Sequence, residues 1–144
     1  MSTTTLAHAD AASRLRLAIA RLARQLRQQT LGSLTLTQWS ALATVETHEP
    51  VRIGDLAERE GVSAATATRV VAALEERGLV ARSADVADRR SWRVSLTVDG
   101  RRELIAMRKV RTARLAQRIA DLDPADARRL SELLPVLETL AGDD

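Results

Sequence analysis

The chain has 144 residues, 45% apolar and 28% charged, with 22 basic against 19 acidic side chains, two histidines and no cysteine. That size fits one compact domain or one protomer of a small oligomer, and the missing cysteine excludes disulfides, thiolate nucleophiles, zinc-thiolate sites and thiol-based redox sensing. Trp39 and Trp92 are the only aromatic residues, and Lys109 is the only basic residue that is not arginine, so an aromatic-centred core is excluded as well.

Met1 to Asp10 has no positively charged stretch leading into an apolar one, and no run approaches the roughly 18 apolar residues of a membrane span. A soluble, cytoplasmic protein without a membrane partner is expected. The net charge of +3 is too small to name a partner, but its distribution is uneven. Residues 1 to 27 carry +4, residues 28 to 76 carry −4, residues 77 to 118 carry +8 and residues 119 to 144 carry −5. Basic character concentrated in this way suits a polyanionic partner; solvated helix faces are the other source of such runs.

In chain order, Leu15, Ile19, Leu22 and Leu26 recur at helical spacing between Asp10 and Thr30, with Arg14, Arg16, Arg21, Arg24 and Arg27 on the remaining surface. The residues before Asp10 are expected to be disordered. Gly32 and Ser33 interrupt the pattern, and a second helix is predicted from Thr37 to before Pro50 through Trp39, Leu42, Ala43 and Val45. Ile53, Leu56 and Ala57 give the inner face of a short helix ending at Glu60, and Gly61 suits its left-handed C-terminal position. Ser63 is an N-cap candidate for a helix reaching Arg77, with Ala67, Val70, Val71 and Leu74 on one face. Two short helices joined by Gly61 and Val62 outline a helix-turn-helix.

Beyond Gly78 the period changes. Leu79 to Arg82 and Trp92 to Leu96 are β-prone, the second run alternating apolar and polar, and Ser83 to Ser91 is a charged loop between them. Helix-turn-helix, strand, charged loop and strand describe a winged helix. Thr97 then caps a long helix to about Leu122, with Leu104, Met107, Val110, Leu115 and Ile119 as its apolar members. Asp123 and Pro124 start a last helix bearing Leu130, Leu133, Leu134, Leu137 and Leu140, in which Pro135 removes a backbone hydrogen bond and predicts a kink. The expected fold is mainly α with a small two- or three-stranded β wing. Its predicted organisation is an N-terminal dimerisation helix (1–34), a winged helix-turn-helix (35–97) and C-terminal dimerisation helices (98–144).

A recognition helix must present small or polar groups where it enters the DNA groove. Ser63, Ala64, Ala65, Thr66, Thr68 and Arg69 meet that need, and Arg69 alone among them can make a bidentate contact to guanine. Arg89 and Arg90 lie near the wing tip, where guanidinium groups can enter a minor groove or meet phosphate, and Asp88 is expected to orient one of them. An exposed helix face and solvated loop charges are the bland alternatives.

Several segments together carry a family resemblance: Ile53-Gly54-Asp55-Leu56-Ala57, Gly61-Val62-Ser63, Thr66 to Val71, Leu74 to Val80, Asp88-Arg89-Arg90, and Val94-Ser95-Leu96-Thr97 with Gly100. The chain resembles the MarR family of winged-helix transcriptional regulators. The Asp-x-Arg wing followed by Leu-Thr and Gly is the specific part, whereas Leu-x-x-x-Gly-Leu-Val occurs in many winged helices. The resemblance implies a homodimeric DNA-binding regulator, commonly a repressor, with a wing held by pairing of the Asp-x-Arg aspartate, which Asp88 and Arg90 match. A two-fold dimer would place its recognition helices about 34 Å apart on double-stranded DNA and read an inverted repeat.

The resemblance also implies a possible small-molecule effector in a cleft between the dimerisation helices and the winged part. Trp39 and the first-helix arginines are candidates for its walls, and a core position is the other reading of Trp39. No cofactor is expected. Glu46, His48 and Glu49 form a conceivable metal set, with a solvated helix end as the alternative. A nucleophile with its base, paired buried carboxylates and a phosphate-binding glycine loop are all missing from the sequence, so an enzyme is not expected. The runner-up reading is a dimeric protein-interaction module whose winged helix does not bind DNA specifically.

Overall fold

Caps and short apolar repeats divide the chain into the elements seen in the computed structural model, which describes residues 3–28 and 32–142. The order is α1 (Thr3–Gln28), α2 (Leu36–His48), β1 (Val51–Arg52), α3 (Ile53–Glu60), α4 (Ala64–Glu76), β2 (Val80–Ala84), β3 (Trp92–Leu96), α5 (Val98–Ala120) and α6 (Pro124–Ala141).

Helix α1 starts at Thr3, so residues 3 to 9, expected to be disordered, are helical. Ala7 and Ala9 supply helix propensity there without an apolar stripe to reveal it. Helix α2 starts slightly earlier than its apolar spacing suggested, because Thr35 and Gln38 form a capping box: each backbone N–H is received by the other's side chain, at 3.0 and 3.1 Å. Helix α6 continues over Pro135 as one element.

The three strands form one antiparallel sheet in the order β1-β3-β2. Val51 lies opposite Val94 and Arg52 opposite Arg93, while β2 pairs with β3 from Val80↔Leu96 to Ala84↔Trp92. β1 is only two residues long, too short to show alternation in sequence. It ties the start of α3 to the wing.

The core gathers Leu42 and Val45 of α2, Leu56 of α3, Val71 and Leu74 of α4, Val80 and Val94 of the sheet, and Leu104 and Met107 of α5. Gly100 makes the last contribution possible. A Cβ there would lie 2.0 Å from the Leu79 carbonyl oxygen, so only glycine lets α5 lie against the start of β2. Thr97 fixes the same corner: its N–H donates to Leu79 O, its hydroxyl donates to Gly78 O, and that hydroxyl oxygen caps the Gly100 N–H at 3.0 Å. The first half of α5 therefore belongs to the winged core, and its second half extends past it.

Candidate nucleic-acid interface

Helix α3 stops at Gly61, whose φ of +64° is left-handed, and the amides of Gly61 and Val62 close the turn onto Glu58 and Ala57 carbonyls. Ser63 then caps α4 by accepting the Thr66 N–H at 3.1 Å. Ala67, Val71 and Leu74 are buried, which leaves Ser63, Ala64, Ala65, Thr68 and Arg69 exposed and Thr66 half-buried. The Ser63 hydroxyl donates to Thr66 Oγ1 at 2.9 Å, and Arg69 Nη2 donates to the same oxygen at 3.3 Å. The cap, the threonine and the arginine thus form one chain that steadies Arg69. The Thr68 hydroxyl donates back to Ala64 O, so its oxygen remains only as an acceptor.

The wing loop spans residues 85 to 91 and is closed at its base by Asp85 N–H donating to Ser91 O at 2.9 Å. Two aspartates shape it in the same way, each accepting the amide two residues on: Asp85 Oδ1 from Ala87 and Asp88 Oδ1 from Arg90. Asp88 also accepts the Ser91 hydroxyl. Its hold on Arg90 therefore runs through the backbone. Arg89 and Arg90 are exposed, and among the described residues neither has a carboxylate within ion-pair distance.

The buried carboxylate of the wing is one that sequence reasoning passed over. Asp85 is 2% exposed between neighbours that are open to solvent, and its Oδ2 receives Arg52 Nε at 2.7 Å and Arg93 Nε at 3.2 Å. The Ala87 amide, ahead of the two guanidinium groups, holds the Asp85 carboxyl down at about 2 from an ordinary 3.8, against the opposing effect of burial. A depressed carboxyl stabilises the fold throughout the range above about pH 4 and loses that contribution as pH falls toward 2. Only the β1–β3 register brings Arg52 to Arg93, and no local motif announces it.

A second basic cluster lies where α1, α2 and α5 meet. Trp39 packs on the core, and the Arg111 guanidinium sits 3.7 Å from its ring centroid. Burial, then the nearby charges of Arg27 and Arg108, push Arg111 down from its ordinary value. Trp39 thus takes the core position that is one of its two sequence readings, with the Arg111 guanidinium stacked on its ring. The conceivable metal set is otherwise engaged: Glu46 receives Arg108, Glu49 receives Arg101 and the Leu96 N–H, and His48 Nδ1 lies 3.0 Å from Thr44 O. Among the described residues no group of His, Cys, Asp or Glu could hold a metal ion, and no helix is long and apolar enough to cross a membrane.

A helix-turn-helix followed by an anchored two-stranded wing defines a winged-helix protein. Residues 34–92 match the MarR family model. An HTH-type transcriptional regulator of Mycobacterium tuberculosis is 39% identical over 116 residues, covering 80% of this chain and 81% of its own length. The chain belongs to the MarR family of winged helix-turn-helix transcriptional regulators. The fold agrees with the multiple antibiotic-resistance repressor of Listeria monocytogenes, at a TM-score of 0.77 and 18% identity over 99% of this chain and all of that one. It also agrees with a variant of S. aureus MepR solved with a bound oligodeoxyribonucleotide, at a TM-score of 0.68 and 18% identity over 88% of this chain and 97% of the other.

Proposed function

We propose that the protein is a cytoplasmic, homodimeric, sequence-specific DNA-binding regulator that represses transcription by occupying an inverted-repeat operator. One observation carries this reading: the exposed small and polar face of α4, with Arg69 steadied on it, accompanies a wing whose Arg89 and Arg90 have no carboxylate partner among the described residues. Arg69 reads a guanine edge, Thr66 donates its hydroxyl to a phosphate or base, Thr68 accepts from a base amino group, and Ala64 and Ala65 meet thymine methyls. Ser63 serves mainly as the cap that presents this face. Arg89 and Arg90 enter the minor groove or meet phosphate, with Asp88 setting the backbone from which Arg90 projects.

Dimerisation uses the helices outside the winged core, α1 with the distal α5 and α6. No side chain of α6 is buried in the single protomer, and a groove between α1 and α6 is lined by Leu15, Ile19, Leu137 and Leu140. Three helices with this much uncovered leucine suit a second copy of the chain. On this reading α1, the distal α5 and α6 are the dimerisation helices, and the first half of α5, with Leu104 and Met107, stays with the winged part. Small-molecule control would act at the junction of Trp39, Arg27, Arg108 and Arg111, where an anionic compound would meet several cations.

Competition binding against random DNA tests the reading. The protein selects a fragment from its own upstream intergenic DNA with steep salt dependence. Arg90→Ala weakens binding on all sequences and lowers the salt slope by about one, while Arg69→Ala also changes sequence preference. A protein that prefers no genomic fragment over random DNA at physiological salt is instead an interaction module.

A further inference from the structure

We propose that Asp85 is the positioning residue of the wing, fixing the loop that carries Arg89 and Arg90 to the start of α3. The proposal rests on the DNA-binding reading above for its functional half, and on the geometry of the free protein for the rest.

Arg52 and Arg93 stand opposite each other across the β1–β3 pair. Like charges facing each other across strands repel, and β1 is only two residues long, with Val51 in the core as its other hold. Asp85 lies between them and accepts from the Nε of both. Its other oxygen binds the Ala87 amide at 2.9 Å and so begins the turn of the loop, while its own N–H closes that loop onto Ser91. One buried side chain therefore joins three parts: β1 with the first residue before α3, the outgoing strand β3, and the tip.

Removing the charge changes all three together. With asparagine at position 85 the amide oxygen can still receive Ala87 N–H, but the two arginines face each other without a counter-ion, and the wing loses its registration against α3. Arg89 and Arg90 are exposed and make no tertiary ion pair of their own among the described residues, so their direction depends on this base. Asp88 shapes the tip locally. Asp85 joins the tip to the helix-turn-helix.

The test measures the full chain with two readouts, using Arg90→Ala, Asp85→Asn, Arg52→Gln, whose partly exposed position lets it fold where Asp85→Asn fails, and both double variants that add Arg90→Ala to these two. Amide hydrogen exchange at Ala87 and Ser91 in the free protein is expected to quicken in Asp85→Asn, and more weakly in Arg52→Gln. On the selected DNA, Arg90→Ala is expected to cost roughly 10-fold in affinity and about one unit of salt slope. Asp85→Asn is expected to cost at least as much, and adding Arg90→Ala to Asp85→Asn or Arg52→Gln is expected to cost less than it does in the wild type. A carboxylate that merely supported stability would leave the Arg90→Ala penalty unchanged in every background, and that result overturns the proposal. Unchanged exchange at Ala87 and Ser91 in both anchor variants overturns it too, whether or not DNA is bound. Failure of the wild type to select DNA, with the exchange result intact, would sink the regulator reading and with it the functional half of the proposal, leaving the anchor itself established.

Discussion

Leu74 of α4 is fully buried, whereas Leu133 of α6 is 52% exposed, although both sit in leucine-bearing amphipathic helices of one short chain. The contrast divides the molecule. From α2 to the first half of α5 the main apolar faces meet one another within the same chain, closed by the Gly100 contact with Leu79, although Leu36 and Ile105 stay exposed. In α1, the distal α5 and α6, Ile19, Val110, Val136 and Leu140 remain open to water. One region completes its own core, and the other leaves apolar side chains uncovered within the chain.

The sharpest way to break the comparison is to create the same kind of defect on each side. Leu74→Ala leaves a cavity in the self-contained core and is expected to lower the unfolding free energy by about 2–5 kcal/mol, read by urea denaturation at several protein concentrations. A cost under about 1 kcal/mol would mean that this region is not the close-packed one.

Leu137→Glu comes next in size. It places a charge in the groove between α1 and α6 and is expected to shift the protein from dimer to monomer in light scattering at micromolar concentration, while the far-ultraviolet signature of the winged part persists. Because subunit association stabilises by mass action, the wild-type Tm should rise with concentration, and that of the variant should not. A wild type that is monomeric at micromolar concentration removes the assigned purpose of the outer helices.

The same contrast explains what could be read from sequence. Helical spacing marks every α element because each has one apolar stripe, and it marks α6 as clearly as α4. Spacing records that a stripe exists and not which surface covers it. β3 is legible through its alternation from Trp92 to Leu96, whereas β1 is invisible at two residues, so a third strand could be allowed for but not placed. The exposed run from Ser63 to Arg69 is legible because its small and polar types and the buried face of α4 lie in one local stretch. Asp85 is not, since its partners Arg52 and Arg93 come from two other strands and meet only through their register. The Arg111 stack on Trp39 escapes for a similar reason, α5 and α2 being brought together by packing far from either sequence. Local chemistry is written locally, and pairing across the sheet or between helices is not.

The smallest effect lies at the seam between the two regions. Arg108 of α5 reaches Glu46 of α2, with Nη1 donating to Oε1 at 3.2 Å and Nη2 to the other oxygen, and Arg101 reaches Glu49 near the same end of α2. The Glu46 hydrogen bonds raise Arg108 above its ordinary value. Its side chain is nevertheless more than half exposed, so water and salt screen the pair heavily. Glu46→Gln should therefore lower stability by no more than about 1 kcal/mol, and the difference should shrink further in about 1 M salt. A cost that stayed above about 2 kcal/mol at high salt would mean that the seam is as firmly built as the core. A small, screened cost fits a lightly held joint at the point where α5, anchored up to Met107 in the winged core, runs out beyond it.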